Sequence, residues 1–248
     1  MWWTLGTSSY IFLNMIFYPA LRDQGAELQK TLESLPPAAV QLFGGSTDFL
    51  SPIGFMNSKI FFMMLPLILA ALAISLGANI VAKEEQDHTI DSLLIRPISR
   101  TRFLLSKALT AKFILAIVSI GTLLFTLVVA RLINLGIPYG NIITATFMCY
   151  LFALTCGAIA FMIASTGWAR SASIGITSAV AFGGYIVSSL SGSITWLKIP
   201  AKIFPFHYYN PESNLRGHIS WYDVLYFVII IIICAFISWL SFRKRDLA

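Results

Sequence analysis

Charged residues are scarce in this chain. Asp, Glu, Lys and Arg make up 11% of its 248 residues, and hydrophobic residues make up 57%, whereas a typical soluble domain carries about 25% charged residues. A soluble fold of this length could not hide so much apolar surface. The apolar runs are close to the ~20 uncharged residues that a membrane-spanning helix needs. The sequence therefore predicts an all-α membrane protein.

Three other absences limit the chemistry. No Gly-x-x-x-x-Gly-Lys-Ser/Thr motif occurs, so the sequence holds no P-loop for ATP phosphates. No Asp, Glu, Lys or His falls in the middle of an apolar run, which argues against an ion-driven carrier. The three cysteines, Cys149, Cys156 and Cys234, all lie within apolar runs, so we expect small packing residues and no disulfide framework.

Possible metal ligands lack partners. Glu85 and His88 have the helical spacing of a carboxylate–histidine pair, but the second copy that such sites require is missing. His207 and His218 share a loop without clustered Cys or acidic residues. We therefore predict no metal site, no cofactor bound by this chain and no catalysis. The net charge of +6 gathers at the ends of apolar runs, which suits a membrane surface better than nucleic acid.

The apolar runs predict six transmembrane helices in a single domain, 1–248. The predicted spans are 2–19, 60–81, 113–133, 142–165, 174–190 and 224–240. Lys and Arg are denser in segment 83–112 and in the C-terminal tail than in the long loops, so the positive-inside rule places both termini in the cytoplasm. The aromatic, proline-rich stretch 191–223 is predicted to be a partly re-entrant outer segment before the sixth span.

Small residues recur every four positions in several spans, a spacing that permits close helix contact. In the fifth span they are Ser171, Gly175, Ala179 and Gly183. Helix packing within one subunit and an interface between subunits both remain open for this groove. Ala73 and Gly77 in the second span, and Gly157 with its small neighbours on one face of the fourth, predict close packing as well.

The chain is organised around the polar segment from Lys83 to Lys112. Acidic residues begin it, basic residues end it, and the apolar run Leu93-Leu94-Ile95 lies between them. Pro97 cannot continue a helix, and Ser99 can cap a new one. The pattern predicts two short helices at the membrane surface, joined at a proline corner.

This segment resembles the cytoplasmic segment of ABC-2 type transporter permeases, where an acidic start leads to Gly-Thr, leucines and Pro-x-Ser-Arg. The matching residues are Glu84, Thr89, Leu93, Leu94, Pro97, Ser99 and Arg100. These residues, together with Glu85, are the predicted ATPase-coupling site. His88 replaces the usual Gly, Gln86 a frequent Glu and Ser92 a frequent Leu. The stretch before the last span resembles the family's Pro-Phe-x-Tyr-Tyr-x-Pro motif through Pro205, Phe206, Tyr208, Tyr209 and Pro211.

The resemblance implies a permease subunit in the plasma membrane. Its polar segment would be the coupling helix that docks into a separate ABC ATPase subunit carrying ATP and Mg. A second permease subunit, identical or different, would complete an exporter for an apolar or amphipathic substrate such as a drug, an antibiotic, a peptide or a lipid-like molecule. The alternatives are an ATPase-coupled membrane module that transmits force or signal without transport, and a secondary carrier. The family's usual basic amphipathic helix before the first span has no counterpart here, which implies a trimmed or divergent start.

Overall fold

The computed structural model describes residues 2–23, 36–44, 50–86 and 100–244, and these ranges are helical with no β-strand. In chain order the helices are α1 (Trp2–Ile16), α2 (Tyr18–Asp23), α3 (Pro37–Leu42), α4 (Pro52–Met56), a π-helix (Asn57–Phe61), α5 (Met64–Gln86), α6 (Arg100–Leu132), α7 (Tyr139–Ser165), α8 (Arg170–Leu190), a 3₁₀ turn (Thr195–Leu197), α9 (Lys198–Ala201), a second 3₁₀ turn (Pro205–Tyr208), α10 (Pro211–Leu215) and α11 (Trp221–Lys244). Within the described ranges, five helical segments are long and apolar enough to cross a membrane: Pro52–Ile80, Thr101–Leu132, Tyr139–Ser165, Arg170–Leu190 and Trp221–Arg243. The prediction of an all-α membrane protein agrees with these helices.

The predicted third to sixth spans correspond to long helices. Helices α7, α8 and α11 each begin a few residues before the predicted boundary. Helix α6 has 33 residues and is about 50 Å long at 1.5 Å per residue, well beyond the ~30 Å hydrocarbon core. Its first turns, with Arg102 and Lys107, therefore extend the third span beyond its predicted start at Phe113. We call the end of the bundle where α6 begins the inner end, and the opposite end the outer end.

The second span starts earlier than predicted and is interrupted. Ser51 caps α4, its Oγ accepting a hydrogen bond of 3.0 Å from the backbone N–H of Gly54, and a turn at Phe62 and Met63 separates the π-helix from α5. Pro66 follows four residues after Phe62. Proline has no N–H to donate to the Phe62 carbonyl, and the proline ring crowds that carbonyl. The break therefore lies where Pro66 predicts a kink.

The first predicted span, 2–19, is not one continuous helix. Helix α1 ends at Ile16, Phe17 forms a turn and α2 begins at Tyr18. Pro19 explains the break because it has no N–H to donate to the Met15 carbonyl, and its ring crowds that carbonyl. At 15 residues, α1 is about 22 Å long. Five helices rather than six therefore have the length of a span within the described ranges.

Helix α7 is the centre of the bundle. It packs against α5, α6, α8 and α11, and Cys149, Ala153 and Ala160 on its small-residue face are fully buried. The backbones of α5 and α7 meet directly: a Cβ added to Gly77 would overlap the Gly157 carbonyl, and one added to Gly157 would lie 3.0 Å from the Ala73 oxygen. The predicted close packing of these small residues is confirmed, and so is the burial of the cysteines, which are all free.

Candidate functional site

The predicted coupling segment lies between α5 and α6. Glu84 and Glu85 fall in the last turns of α5, and Arg100 begins α6. Thr89, Leu93, Leu94, Pro97 and Ser99 lie outside the described residues, as do the side chains of Glu84, Glu85 and Arg100. Their docking role stays a prediction, but the two helices that flank the segment are both long.

Side-chain contacts join the start of α6 to the end of α11. We did not predict these contacts from the sequence. The rings of Phe103 and Phe242 stack with centroids 6.3 Å apart, and the Trp239 indole N–H donates to Thr101 Oγ1 at 3.1 Å. The Arg243 guanidinium lies 5.6 Å from the Trp239 ring centroid. A displacement of the segment before α6 would therefore act on α11 as well. Only the general preference of aromatic residues for membrane interfaces hints at this cluster.

The small-residue groove of the fifth span faces away from the bundle. Ser171, Gly175 and Ala179 are exposed, and a Cβ added to Gly175 or Gly183 would meet nothing within 4 Å. Packing of this groove within the chain, one of the two interpretations of the sequence, is therefore wrong. Helix α8 instead contacts the core through its opposite face, where its buried residues include Thr177 and Ala181. The subunit interface stays a prediction.

The outer motif forms an aromatic cluster at the outer end. Phe206 is buried, and its ring lies edge-on to those of Phe62, Phe152 and Tyr185, at centroid distances of 5.6, 5.6 and 5.3 Å. Gly184 of α8 packs closely against the same segment, because a Cβ added to it would lie only 3.0 Å from the Phe204 side chain. These rings join the π-helix region, α7 and α8 to the segment before the last span.

The remaining motif residues fix this segment from both sides. Tyr209 is buried and donates its hydroxyl to the Phe61 carbonyl at 2.7 Å, whereas Tyr208 stacks on Tyr226 with ring centroids 3.7 Å apart. Pro205 and Pro211 each occupy the first turn of a short helix, where a missing N–H costs nothing. The structure thus brings all five residues of the predicted outer motif into one short segment.

The π-helix is the second feature that sequence reasoning missed, because the predicted second span began only at residue 60. Tyrosine hydroxyls satisfy two of its carbonyls: Tyr209 bonds Phe61, and Tyr10 bonds Lys59. The Asn57 Oδ1 and Ser58 Oγ atoms are buried and have no hydrogen-bond partner among the residues that the structure describes. π-Helices often occur at functional sites, and two polar residues directly before an apolar run were the available signal.

A polar cavity of about 180 Å³ lies beside the π-helix at the outer end. Its polar walls come from four chain segments, and they include Gln41, Asn57, Ser188, Ser189 and His207. The Oγ atoms of both serines have no hydrogen-bond partner among the described residues, so the cavity presents several unused hydrogen-bonding groups to a polar occupant. Partial burial, followed by the nearby Lys202 charge, lowers the pKa of His207, which favours the neutral imidazole.

No group of three His, Cys, Asp or Glu side chains in the described ranges is arranged to hold a metal ion. His207 is exposed, and His218 lies in the exposed turn after α10.

Fold and sites together define a helical, membrane-type protein with an aromatic outer segment and a polar segment between two long helices. The family model described as "Protein of unknown function (DUF2705)" matches residues 34–248. The chain belongs to this family, and the match includes all five long helices. A comparison with curated proteins finds no match.

Proposed function

We propose that this chain is the membrane subunit of an ATP-driven ABC exporter that moves an apolar or amphipathic substrate outward across the plasma membrane. The observation that carries the proposal is the acidic-to-basic segment between α5 and α6, with its ABC-2-like residues. The absence of a P-loop from these 248 residues assigns ATP hydrolysis to a separate ATPase subunit, which would hold the ATP and Mg.

Docking follows from the chemistry of the segment. Leu93 and Leu94 are flanked by charges, and burying each leucine side chain against a partner stabilises the contact by about 1.5–3 kcal/mol. Pro97 restricts the backbone beside them, so a movement of the ATPase passes to α6. Since Phe103 and Thr101 of α6 contact Phe242 and Trp239 of α11, the same movement reaches the last span.

Six spans, both termini in the cytoplasm and a second permease subunit complete the proposed architecture. Helix α1 would be the sixth span, because it packs along α6. The exposed face of α8 with Gly175, Ala179 and Gly183 would be the contact between subunits, since small residues allow two helix backbones to approach.

The decisive experiment compares Leu93→Asp with Ser92→Asp, which adds the same charge one residue away and keeps both leucines. Membranes expressing the tagged chain are extracted, and ATP hydrolysis by the purified complex is measured with and without a substitution in the partner's P-loop lysine. We expect Leu93→Asp to lower bound ATPase activity at least tenfold while the chain stays folded, and Ser92→Asp to retain most of it.

Transport into inverted vesicles then separates the alternatives. ATP-dependent uptake of an amphipathic dye that Leu93→Asp abolishes would support the exporter. ATPase binding without uptake of any substrate would indicate a module that transmits force or signal. Uptake driven by an ion gradient and indifferent to Leu93→Asp would contradict the proposal and indicate a secondary carrier.

A further inference from the structure

A second cavity, of about 190 Å³, lies among α5, α6, α7 and α11. We call it the side cleft. It is far more apolar than the outer cavity, since fifteen of its sixteen lining residues are Ala, Gly, Leu, Ile or Phe. It forms because the residues that face it are small: Gly77 and Gly157 meet backbone to backbone, and Ala235 on α11 leaves space opposite them.

The side cleft opens on the apolar surface of the bundle. Leu105 and Leu109 of α6 and Ala235 of α11 line it and are exposed. At the inner end, the stacked rings of Phe103 and Phe242 hold α6 and α11 together, so the opening lies between these two helices beyond that contact. A lipid acyl chain can reach an opening on this surface. Water is disfavoured there because an ordered water molecule needs polar hydrogen-bonding partners.

Lys112 is the single charged residue that lines the side cleft. Its side chain is exposed, and no ion pair or hydrogen bond joins it to another described residue. Lys112 lies just before the predicted start of the third span, where a lysine side chain can extend to the membrane interface and attract anionic headgroups. No acidic residue of the described ranges lines the cleft, so none of these residues competes with an anionic headgroup for the charge of Lys112.

We propose that the side cleft binds part of one acyl chain of an anionic phospholipid, with Lys112 contacting its headgroup. The apolar walls select a hydrocarbon chain, and the lone cation selects a negative headgroup. The volume is below the roughly 300–1,000 Å³ of pockets that enclose drug-sized ligands, so it fits a portion of one chain. This site would exist whether or not the protein exports a substrate.

Native mass spectrometry of the purified, delipidated full chain tests the proposal. The protein is titrated with dioleoylphosphatidylglycerol or dioleoylphosphatidylcholine, which share their acyl chains and differ in headgroup charge. We expect one tightly retained phosphatidylglycerol per chain, and a preference over phosphatidylcholine of about fivefold, as one lysine near an anionic headgroup provides.

Two matched pairs of variants locate the lipid. Lys112→Gln should remove the preference for phosphatidylglycerol, whereas Lys198→Gln, which removes a lysine outside the cleft, should retain it. Ala235→Phe should fill the cleft and prevent retention of both lipids, whereas Ile233→Phe, on the other side of α11, should not. If Ala235→Phe does not fold, Ala108→Leu fills the cleft from α6 and should have the same effect.

Three results would overturn the proposal. A preference that survives Lys112→Gln would show that this lysine does not contact the headgroup. Retention that survives both Ala235→Phe and Ala108→Leu would place the lipid elsewhere. A dimer that dissociates on Ala235→Phe, with no lipid retained by the wild type, would show that a second copy of the chain covers the cleft.

Discussion

Two neighbouring tyrosines at the outer end use their hydroxyl groups differently. Tyr209 is buried and donates to the Phe61 carbonyl at 2.7 Å, whereas Tyr208 makes an exposed bond of 3.2 Å to the Lys202 carbonyl. The Phe61 carbonyl belongs to the π-helix, and a π-helical bond to it would need an N–H at residue 66, which is a proline. The buried hydroxyl therefore satisfies this carbonyl where the second span is interrupted.

Removing the two hydroxyls separately tests this difference. Tyr209→Phe should destabilise the protein by about 1–3 kcal/mol, since it leaves a buried carbonyl unsatisfied. Tyr208→Phe keeps the stacking on Tyr226 and should change stability by about 0.5 kcal/mol or less. Thermal unfolding of both variants in detergent measures the difference, and equal midpoints would mean that water replaces the Tyr209 hydroxyl.

At the scale of helices, glycines with the same sequence spacing have opposite surroundings. Gly77 of α5 lies against the Gly157 carbonyl of α7, whereas open space surrounds Gly175 of α8. Four-residue spacing marks both as contact positions. The difference arises because α5 packs along α7 on its glycine face, while α8 presents Thr177 and Ala181 to the core instead.

A methyl group added at each glycine gives opposite predictions. Gly77→Ala should force α5 away from α7 and destabilise the bundle by about 1–3 kcal/mol, the usual cost of overpacking. Gly175→Ala should not lower the unfolding temperature of the monomer, and the higher helix propensity of Ala should raise it slightly. Gly175→Leu, which blocks close approach from outside, should reduce the dimer fraction in cross-linking if α8 forms the subunit interface. An unchanged dimer fraction would assign this face to lipid.

Sequence reasoning was most successful where a pattern has one physical meaning. Apolar length predicted α7, α8 and α11 within a few residues, and the burial of Cys149 and Ala153 followed from small residues on one face. It failed where tertiary contacts decide the outcome. The four-residue spacing in α8 could not reveal which face turns outward. The polar residues at Asn57 and Ser58 were too weak a signal for a π-helix whose carbonyls depend on Tyr10 and Tyr209.

At the scale of the whole molecule, the number of membrane crossings depends on whether α1 crosses the membrane. Its contacts with α6 run in ascending order: a Cβ at Gly121 would touch Thr4, the Thr7 and Thr122 hydroxyls are 2.9 Å apart, and the Phe12 ring meets Phe125. Helix α1 therefore runs in the same direction as α6. Since α6 begins at the predicted cytoplasmic side, the N-terminal end of α1 faces that side. However, Thr4 lies opposite Gly121, about 30 Å along α6 from its first residue, and α1 has only 15 residues.

We therefore predict that both termini lie on the cytoplasmic side, with α1 as the sixth crossing. The turn between α7 and α8, at Thr166, belongs to the inner end, and Ser220, just before α11, belongs to the outer end. An impermeant maleimide added to intact cells should label Ser220→Cys and spare Thr166→Cys, and the buried natural cysteines should give little background. Epitope tags at the two termini should bind antibody only after permeabilisation. An N-terminal tag that is accessible in intact cells, together with a protected C-terminal tag, would mean that α1 does not cross and that the bundle has five spans, because an odd number of crossings places the termini on opposite sides.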